Sequence, residues 1–429
     1  MKNKIKTEYD AIVVGTGPGG STTARELSLK GKRVLMVEKA SMPKIKGTGL
    51  QTLKTMRLRP TTDKSAVVWQ EATGGATFSY CACAIDPPYD LFDRYDVNIR
   101  DEVAETKDDL PIEYLSDYLV GPMATRIMEA AHETGFDWHK LPKFIDQVKC
   151  RPGCHRCWYN CPYGAKWTAR QFAEEALANG GTIINHARVE KVLLDNNNKA
   201  EGILYMRKGK SHVAYAPLVI VAAGGIGTPL LLRRTGITDA GHDFFVDPLS
   251  LVIGNVNGLK GGVAEIPMAA GVEFEEEGYL MTDLTTSPAL YSSMALSAFQ
   301  LRTLFSGGNA LAIMIKVRDS LSGSIPEKGK IIKSLGEKEK MAFNAGFEKA
   351  EQILKKAGAK NTFRTEIAGA HPGGTAKIGD IVDSNLQTKY ENLYVCDASV
   401  IPEEFGYPPV LTLVGLGKRL AKHLTTDKG

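Results

Sequence analysis

The sequence predicts an α/β protein: a doubly wound dinucleotide-binding domain joined to a second, β-sheet-based α+β domain. Three observations carry this. A glycine turn, Gly15-Thr-Gly-Pro-Gly-Gly20, sits between an apolar strand and a helix. Far along the chain, Pro217–Ala223 is a continuous apolar run, as expected of a strand buried on both faces of a parallel sheet. Residues 244–330 then read as a separate β-rich region.

Each element follows from its pattern. The chain opens on a strand over Asp10–Val14, a helix over about Gly19 to Lys30 and a second strand over Arg33–Glu38. Residues 41–110 hold no sustained period and read as loops and short strands. From Ser116 to Thr134, Leu119, Met123, Ile127 and Ala130 recur at helical spacing. Thr168 suits the N-cap of a helix running to Asn179. Strands fill 181–222 around a turn at Asp195–Lys199. Thr228 and Pro229 read as the cap and first residue of the next helix. Phe343, Phe347, Ala350 and Leu354 line the inner face of a helix over about Glu337–Ala357.

Composition narrows the function. At 429 residues, 43% hydrophobic and 24% charged, the chain is an ordinary globular protein long enough for two cores. Its net charge of +4 contains no run of five or six like charges, which argues against nucleic acid or a polybasic membrane patch. The basic stretch Met1–Asp10 leads into no signal-peptide core, and no run of about 18 apolar residues predicts a membrane span. A cytoplasmic protein is expected.

The glycine turn fits G-x-G-x-x-G in its required setting, after a strand and opening a helix. Gly15 permits the tight turn, Gly17 lets a pyrophosphate approach, and Gly20 lets the helix pack closely. Pro18 and Gly19 complete the helix start, whose free N–H groups favour a diphosphate. Glu38 closes the second strand 18 residues after Gly20 and suits ribose hydroxyls. It would repel a 2′-phosphate, which argues against NADP. The turn alone does not separate FAD from NAD, and the bland alternative is a glycine turn with no ligand.

Five blocks, in order, resemble the glucose–methanol–choline oxidoreductases. They are Tyr9 to Gly20 with Val34 to Lys39; Gly74-Gly75-Ala-Thr77; His186-Ala-Arg-Val189; Val219 to Gly236, containing Ala223 and Gly224; and His371-Pro-Gly-Gly-Thr375 followed by Asn392 to Pro402. The resemblance implies FAD and a small alcohol or carbonyl substrate. It implies a discontinuous FAD domain over residues 1–45, 163–240 and 365–429, and a substrate domain over 46–162 and 241–364 with a cysteine cluster at 150–161. It places Gly74, Gly75 and Thr77 beside the flavin, the Val189 backbone at adenine, and Asp397 near the diphosphate and ribityl chain. Lys39, Ala398, Pro408 and Thr412 are carried over as further cofactor contacts.

In that family a histidine takes the hydroxyl proton as hydride passes to flavin. His371 matches it, 26 residues before Asp397, and imidazole chemistry suits the task. The partner position departs from the family's His or Asn: Gly406-Tyr407-Pro408-Pro409 offers Tyr407, a hydrogen-bond donor or a packed aromatic. The first 131 residues lack histidine, which argues against a histidyl-linked flavin in the glycine loop.

Of the seven cysteines, Cys150, Cys154, Cys157 and Cys161 fall within twelve residues. Cys154-x2-Cys157-x3-Cys161-Pro162 resembles the end of the ferredoxin run, with Cys150 at a departing spacing. An iron–sulfur cluster, [4Fe–4S], is the expectation, with Cys81 or Cys83 as a possible replacement ligand. Structural zinc and metal-free thiols are the alternatives. Together these features predict an FAD dehydrogenase of a CH–OH group that passes electrons through the cluster to a ferredoxin-like protein acceptor. A ketone or enone reductase, or an electron-transfer subunit of a larger complex, uses the same parts.

Overall fold

Ala11–Val14 is buried along its whole length and forms the middle strand of a five-stranded parallel sheet. Val34–Val37 and then Thr182–Ile184 lie on one side, Val219–Val221 and then Leu393–Val395 on the other. The register aligns Val14, Val37, Val221 and Val395, so four strands end at one edge. Ligands of such sheets bind at the carboxyl ends of the strands. The Pro18–Leu29 helix packs against the Ala169–Ala178 and Val410–Thr425 helices. The computed structural model describes residues 8–259, 265–284 and 288–426, so the basic stretch through Thr7 lies outside it.

A second sheet of nine strands is mostly antiparallel. Pro248–Asn255, Ala310–Val317, Tyr279–Asp283 and Ala270–Phe274 are consecutive neighbours in it. Successive strand residues alternate between faces. Val252, Ile313, Ile315 and Met281 pack beneath Phe343, Phe347, Ala350 and Leu354 of the Glu337–Lys356 helix. The opposite face carries a row across four strands: Leu249, Lys316, Leu280 and Glu273.

Three expectations need correction. The helix near Thr228 starts a turn earlier, spanning Gly224–Thr235 with Ala223 as N-cap and Pro229 inside it. Proline there removes the N–H that would bond the Gly225 carbonyl, and the Thr375 hydroxyl donates to that carbonyl instead, at 2.9 Å. The 116–134 helix begins at Pro122, with a short 3-10 turn at Asp117–Leu119 before it. Residues 41–110 are also less irregular than expected, for they include the Arg100–Asp109 helix. That helix has almost no apolar stripe. Charges on the C-terminal helix anchor it: Lys418 pairs with Asp109 at 2.6 Å, and Lys422 with Glu102 and Glu105 at 2.9 and 2.6 Å.

Candidate active site

The glycine turn sits at the carboxyl edge of the parallel sheet, and three of its four glycines are there for a steric reason. Gly15 has φ +104°, and a methyl group on it would come 2.2 Å from the Ala222 carbonyl oxygen. A side chain at Gly19 or Gly20 would strike the Cys396 or Gly15 carbonyl. Gly17 differs: nothing stands within 4 Å of where its Cβ would be, so the turn is open on that side. Pro18 is the first helical residue. Glu38 is buried, and Thr16 fixes it from inside the turn. The Thr16 N–H and hydroxyl donate to Oε2 at 3.0 and 2.7 Å, and the Ala40 N–H donates to Oε1 at 2.8 Å. Lys39 turns away to pair with Glu71 at 2.6 Å.

The second glycine pair folds onto the first. Gly74 and Gly75 have φ +98° and +57°, and a Cβ on Gly75 would lie 2.9 Å from the Gly17 Cα. The Gly74 N–H donates to the Thr16 hydroxyl at 3.3 Å, and the Thr77 hydroxyl to the Gly74 carbonyl at 2.5 Å. Val189 is buried in the Ala187–Leu194 strand, which is tied to the Glu38 carbonyl through the Ala187 N–H at 3.0 Å. Asp397 gathers the third segment. Its Oδ2 accepts from the Gly224 N–H at 2.8 Å and the Thr228 hydroxyl at 2.6 Å, and its Oδ1 from the Ser399 N–H at 2.8 Å. The Ala223 N–H donates to Thr228, and the Gly374 N–H to the Ala398 carbonyl. Pro408 is buried, and so is Thr412, whose hydroxyl has no partner among the described residues.

The His371 loop and the backbone before Tyr407 both lie against two residues that the sequence reading did not select. Asp247 and Lys316 form a fully buried ion pair at 2.9 Å. Asp247 Oδ2 stands 3.4 Å from His371 Nδ1, and Oδ1 accepts from the Gly406 N–H at 3.0 Å. Lys316 Nζ donates to the Gly406 carbonyl, also at 3.0 Å. One ion pair therefore holds the backbone just before Tyr407 and faces the histidine, whose Nδ1 has no hydrogen-bond partner among the described residues. Asp247, His371 and Gly406 all adopt positive φ, +44°, +53° and +75°. For the non-glycine residues Asp247 and His371 such conformations persist only where surrounding contacts impose them, whereas Gly406 adopts its own freely.

Charge follows from this packing. Burial and the Lys316 ammonium push His371 below the ordinary histidine pKa, against the pull of Asp247. Burial alone would raise the Asp247 carboxyl, but Lys316 and His371 draw it below the usual range. Burial and Glu273 raise the Tyr407 phenol, which stays protonated near neutral pH. The Arg318 guanidinium lies 5.8 Å from the centre of the Tyr407 ring.

Two family models describe this chain, the N-terminal GMC oxidoreductase model over residues 48–256 and the C-terminal one over 282–417.

The chain belongs to the GMC oxidoreductase family.

It is an FAD-dependent oxidoreductase. An uncharacterised protein of Methanocaldococcus jannaschii is 26% identical to it, over 97% of this chain and 100% of that one. A long-chain-alcohol oxidase of Arabidopsis thaliana is 22% identical over 98% of this chain and 69% of its own length. Among solved structures, pyridoxine 4-oxidase from Mesorbium loti superposes with a TM-score of 0.75 at 17% identity, covering 97% of this chain and 99% of that one. A formate oxidase of Aspergillus oryzae reaches 0.78 at 13% identity, covering 98% and 99%. These last two likenesses concern the fold.

The cradle of this GMC oxidoreductase fits FAD. The turn is open at Gly17, and Thr412 offers a buried hydroxyl without a protein partner. Substituting Gly75 by Ala should push the two glycine loops apart, since its Cβ would meet Gly17. Strain of about 1–3 kcal/mol predicts roughly ten- to hundredfold weaker flavin binding. The flavin-to-protein absorbance ratio after dialysis measures it, and full retention would refute the contact.

The cysteine run folds around a 3-10 turn at Arg156–Tyr159, and Cys157 and Cys161 join the core that includes the parallel sheet. Cys150, Cys154, Cys157 and Cys161 line one small pocket with Lys166, while Cys81 and Cys83 lie outside that lining. All seven cysteines are free. Burial pushes the Cys150 thiol up to about 11 and Cys157 to about 12. Two buried lysines stand here with no carboxylate in ion-pair reach among the described residues. Lys166 Nζ donates to the carbonyls of Thr77, Phe78, Tyr80 and Cys157, and Lys143 Nζ contacts Cys83 Sγ at 3.3 Å. Among the described residues no three Cys, His, Asp or Glu side chains converge to hold a metal ion. The pocket encloses about 10 Å³, room for roughly one water, so the loop as folded does not fit an iron–sulfur cluster.

The sequence held one overlooked signal for Lys316: a lone lysine in the otherwise apolar strand Ala310–Val317, buried throughout. A charge in such a run needs a buried partner. Nothing local marks Asp247 as that partner.

Proposed function

We propose that this enzyme oxidises the CH–OH group of a small alcohol, with His371 as proton acceptor. The observation that carries this is the histidine set beside the buried pair: Nδ1 faces Asp247 at 3.4 Å, which leaves Nε2 to accept the hydroxyl proton. The low pKa keeps the imidazole neutral, as an acceptor must be. Tyr407, kept protonated, donates a hydrogen bond to the substrate oxygen. Asp247 stabilises the imidazolium after proton transfer, and the Lys316 ammonium prevents that charge from persisting. When bound, FAD supplies the hydride acceptor. The cradle for it is proposed as Gly15, Gly17, Gly20, Glu38, Gly224, Asp397 and Thr412, on segments within residues 1–45, 163–240 and 365–429, with Gly74 and Gly75 added from the 46–162 segment.

Anaerobic mixing with small primary alcohols tests the reading. Loss of the oxidised-flavin absorption band is expected. If no alcohol bleaches the flavin and a ketone reoxidises the chemically reduced enzyme, the reaction runs the other way.

The finer reading, a [4Fe–4S] cluster on Cys150, Cys154, Cys157 and Cys161 passing electrons to a ferredoxin-like protein, draws on the four thiols around one pocket. The two buried lysines beside them support it, because a cluster on four thiolates is anionic. It requires the loop to open. Iron and acid-labile sulfide at about four each per flavin, in protein purified without oxygen, are the expected result. Zinc, or neither metal, would leave the cysteines structural. Seven free thiols support a reducing, cytoplasmic setting, and among the described residues no helix is long and apolar enough to cross a membrane.

A further inference from the structure

The Pro288–Ser297 helix and the short turn at Leu301–Thr303 lie between two strands of the second sheet. One side of this segment is anchored. Tyr291 and Ala295 are fully buried in a cluster with Leu251, Ile253 and Met314, which alternate onto the same sheet face as Lys316. The Tyr291 hydroxyl also donates to Asn255 Oδ1 at 3.1 Å. The other side is apolar and uncovered. Leu296 is 56% exposed, Phe299 88%, Leu301 65% and Phe305 91%. Single exposed apolar residues are ordinary, but a concentration of them marks an interaction surface.

The backbone adds to this. The helix ends on Phe299, which has φ +55°. Its N–H donates to the Leu296 carbonyl at 3.0 Å, and the Gln300 N–H donates to the Ala295 carbonyl at 2.7 Å. Glycine usually takes that closing position, because a Cβ makes the left-handed conformation costly. Here a phenylalanine takes it and recovers little by packing, since its ring stands in solvent.

Charge indicates what covers these rings. From Leu284 to Arg318 the sequence contains no carboxylate. Arg302, exposed beside Leu301, is the single charged residue over 284–309. A second copy of the segment would offer that guanidinium no acid. A bilayer surface offers it phosphates, while leucine and phenylalanine side chains settle at the boundary between headgroups and acyl chains.

We propose that this segment docks the enzyme on a lipid bilayer, with Phe299 and Phe305 inserted at headgroup depth and Arg302 at the phosphates. The proposal does not depend on the alcohol-oxidising reading. Docking this way turns the Lys316 face of the sheet toward the bilayer and leaves the face covered by the Glu337–Lys356 helix turned away.

Flotation of the flavin-loaded enzyme tests it, with vesicles of phosphatidylcholine alone or mixed with phosphatidylglycerol. The enzyme should rise with both, about fivefold more tightly with the anionic mixture, the contribution of one basic residue near such a surface. Raised salt should remove that margin and leave the remainder. The double variant Phe299→Ser with Phe305→Ser should bind about tenfold or more weakly, and its flavin content reports that the fold is kept. A separate Phe305→Trp variant reads insertion directly, because bromine-labelled lipid should quench the added fluorescence. An enzyme that stays at the bottom with both vesicle types, a double variant that floats like the unaltered protein, or an unquenched tryptophan overturns the proposal. Light scattering that finds a dimer, lost in the double variant and without flotation, also overturns it and gives the surface to a second copy of the chain.

Discussion

His371→Asn is expected to keep its flavin and lose the reaction. General-base assistance is worth about 10²- to 10⁴-fold, so the anaerobic bleaching rate should fall by that order while flavin content holds. The histidine contacts the buried pair from its edge and is partly exposed, with 30% of its side chain accessible, so the loss should not come through unfolding. The pH profile gives a second check. The base works when neutral, so the rate should fall as pH drops through its folded pKa. Burial and Lys316 set that pKa below the ordinary histidine value, so the acid limb should lie below about pH 6.5. Lys316→Met removes a charge that depresses it and should move the limb upward. Unchanged bleaching in His371→Asn would sink the assignment.

Asp247→Asn is expected to cost stability as well as rate. It leaves the Lys316 ammonium buried without its partner, and breaking a buried pair from one side costs about 3–5 kcal/mol. Denaturant unfolding of the flavin-loaded protein should show that loss. The double variant Asp247→Asn with Lys316→Met removes both charges and should regain much of the stability without regaining the rate. Recovery of both would mean that the pair serves folding alone. The pH dependence has a definite sign. The Asp247 carboxyl is held below its unfolded pKa. Its contribution is complete above that unfolded value and is lost as pH falls through the folded one.

The parallel sheet was readable because its signals are local. Ala11–Val14 and Val219–Val221 are apolar runs, and the glycines from Gly15 to Gly20 follow a recognisable short spacing, although the carbonyls that exclude side chains at Gly15 and Gly19, those of Ala222 and Cys396, come from distant segments. The Arg100–Asp109 helix was not readable, because salt bridges from Lys418 and Lys422 hold it and periodicity does not record them. Pro229 misled for a similar reason. A proline looks like a helix start until a distant hydroxyl, here Thr375, takes over the freed carbonyl.

The candidate site divides the same way. By itself the sequence determined the dinucleotide turn, the acid at Glu38 and the clustering of four cysteines, because each is a residue type at a short, meaningful spacing, and a family resemblance singled out His371 as the candidate base. Only the tertiary structure decided what stands behind the histidine. Asp247 immediately precedes the strand Pro248–Asn255 and Lys316 lies in its neighbour Ala310–Val317, so antiparallel pairing and the left-handed backbone at Asp247 bring them together. Local chemistry is written along the chain, whereas a buried charge acquires its meaning from whichever partner the fold delivers to it.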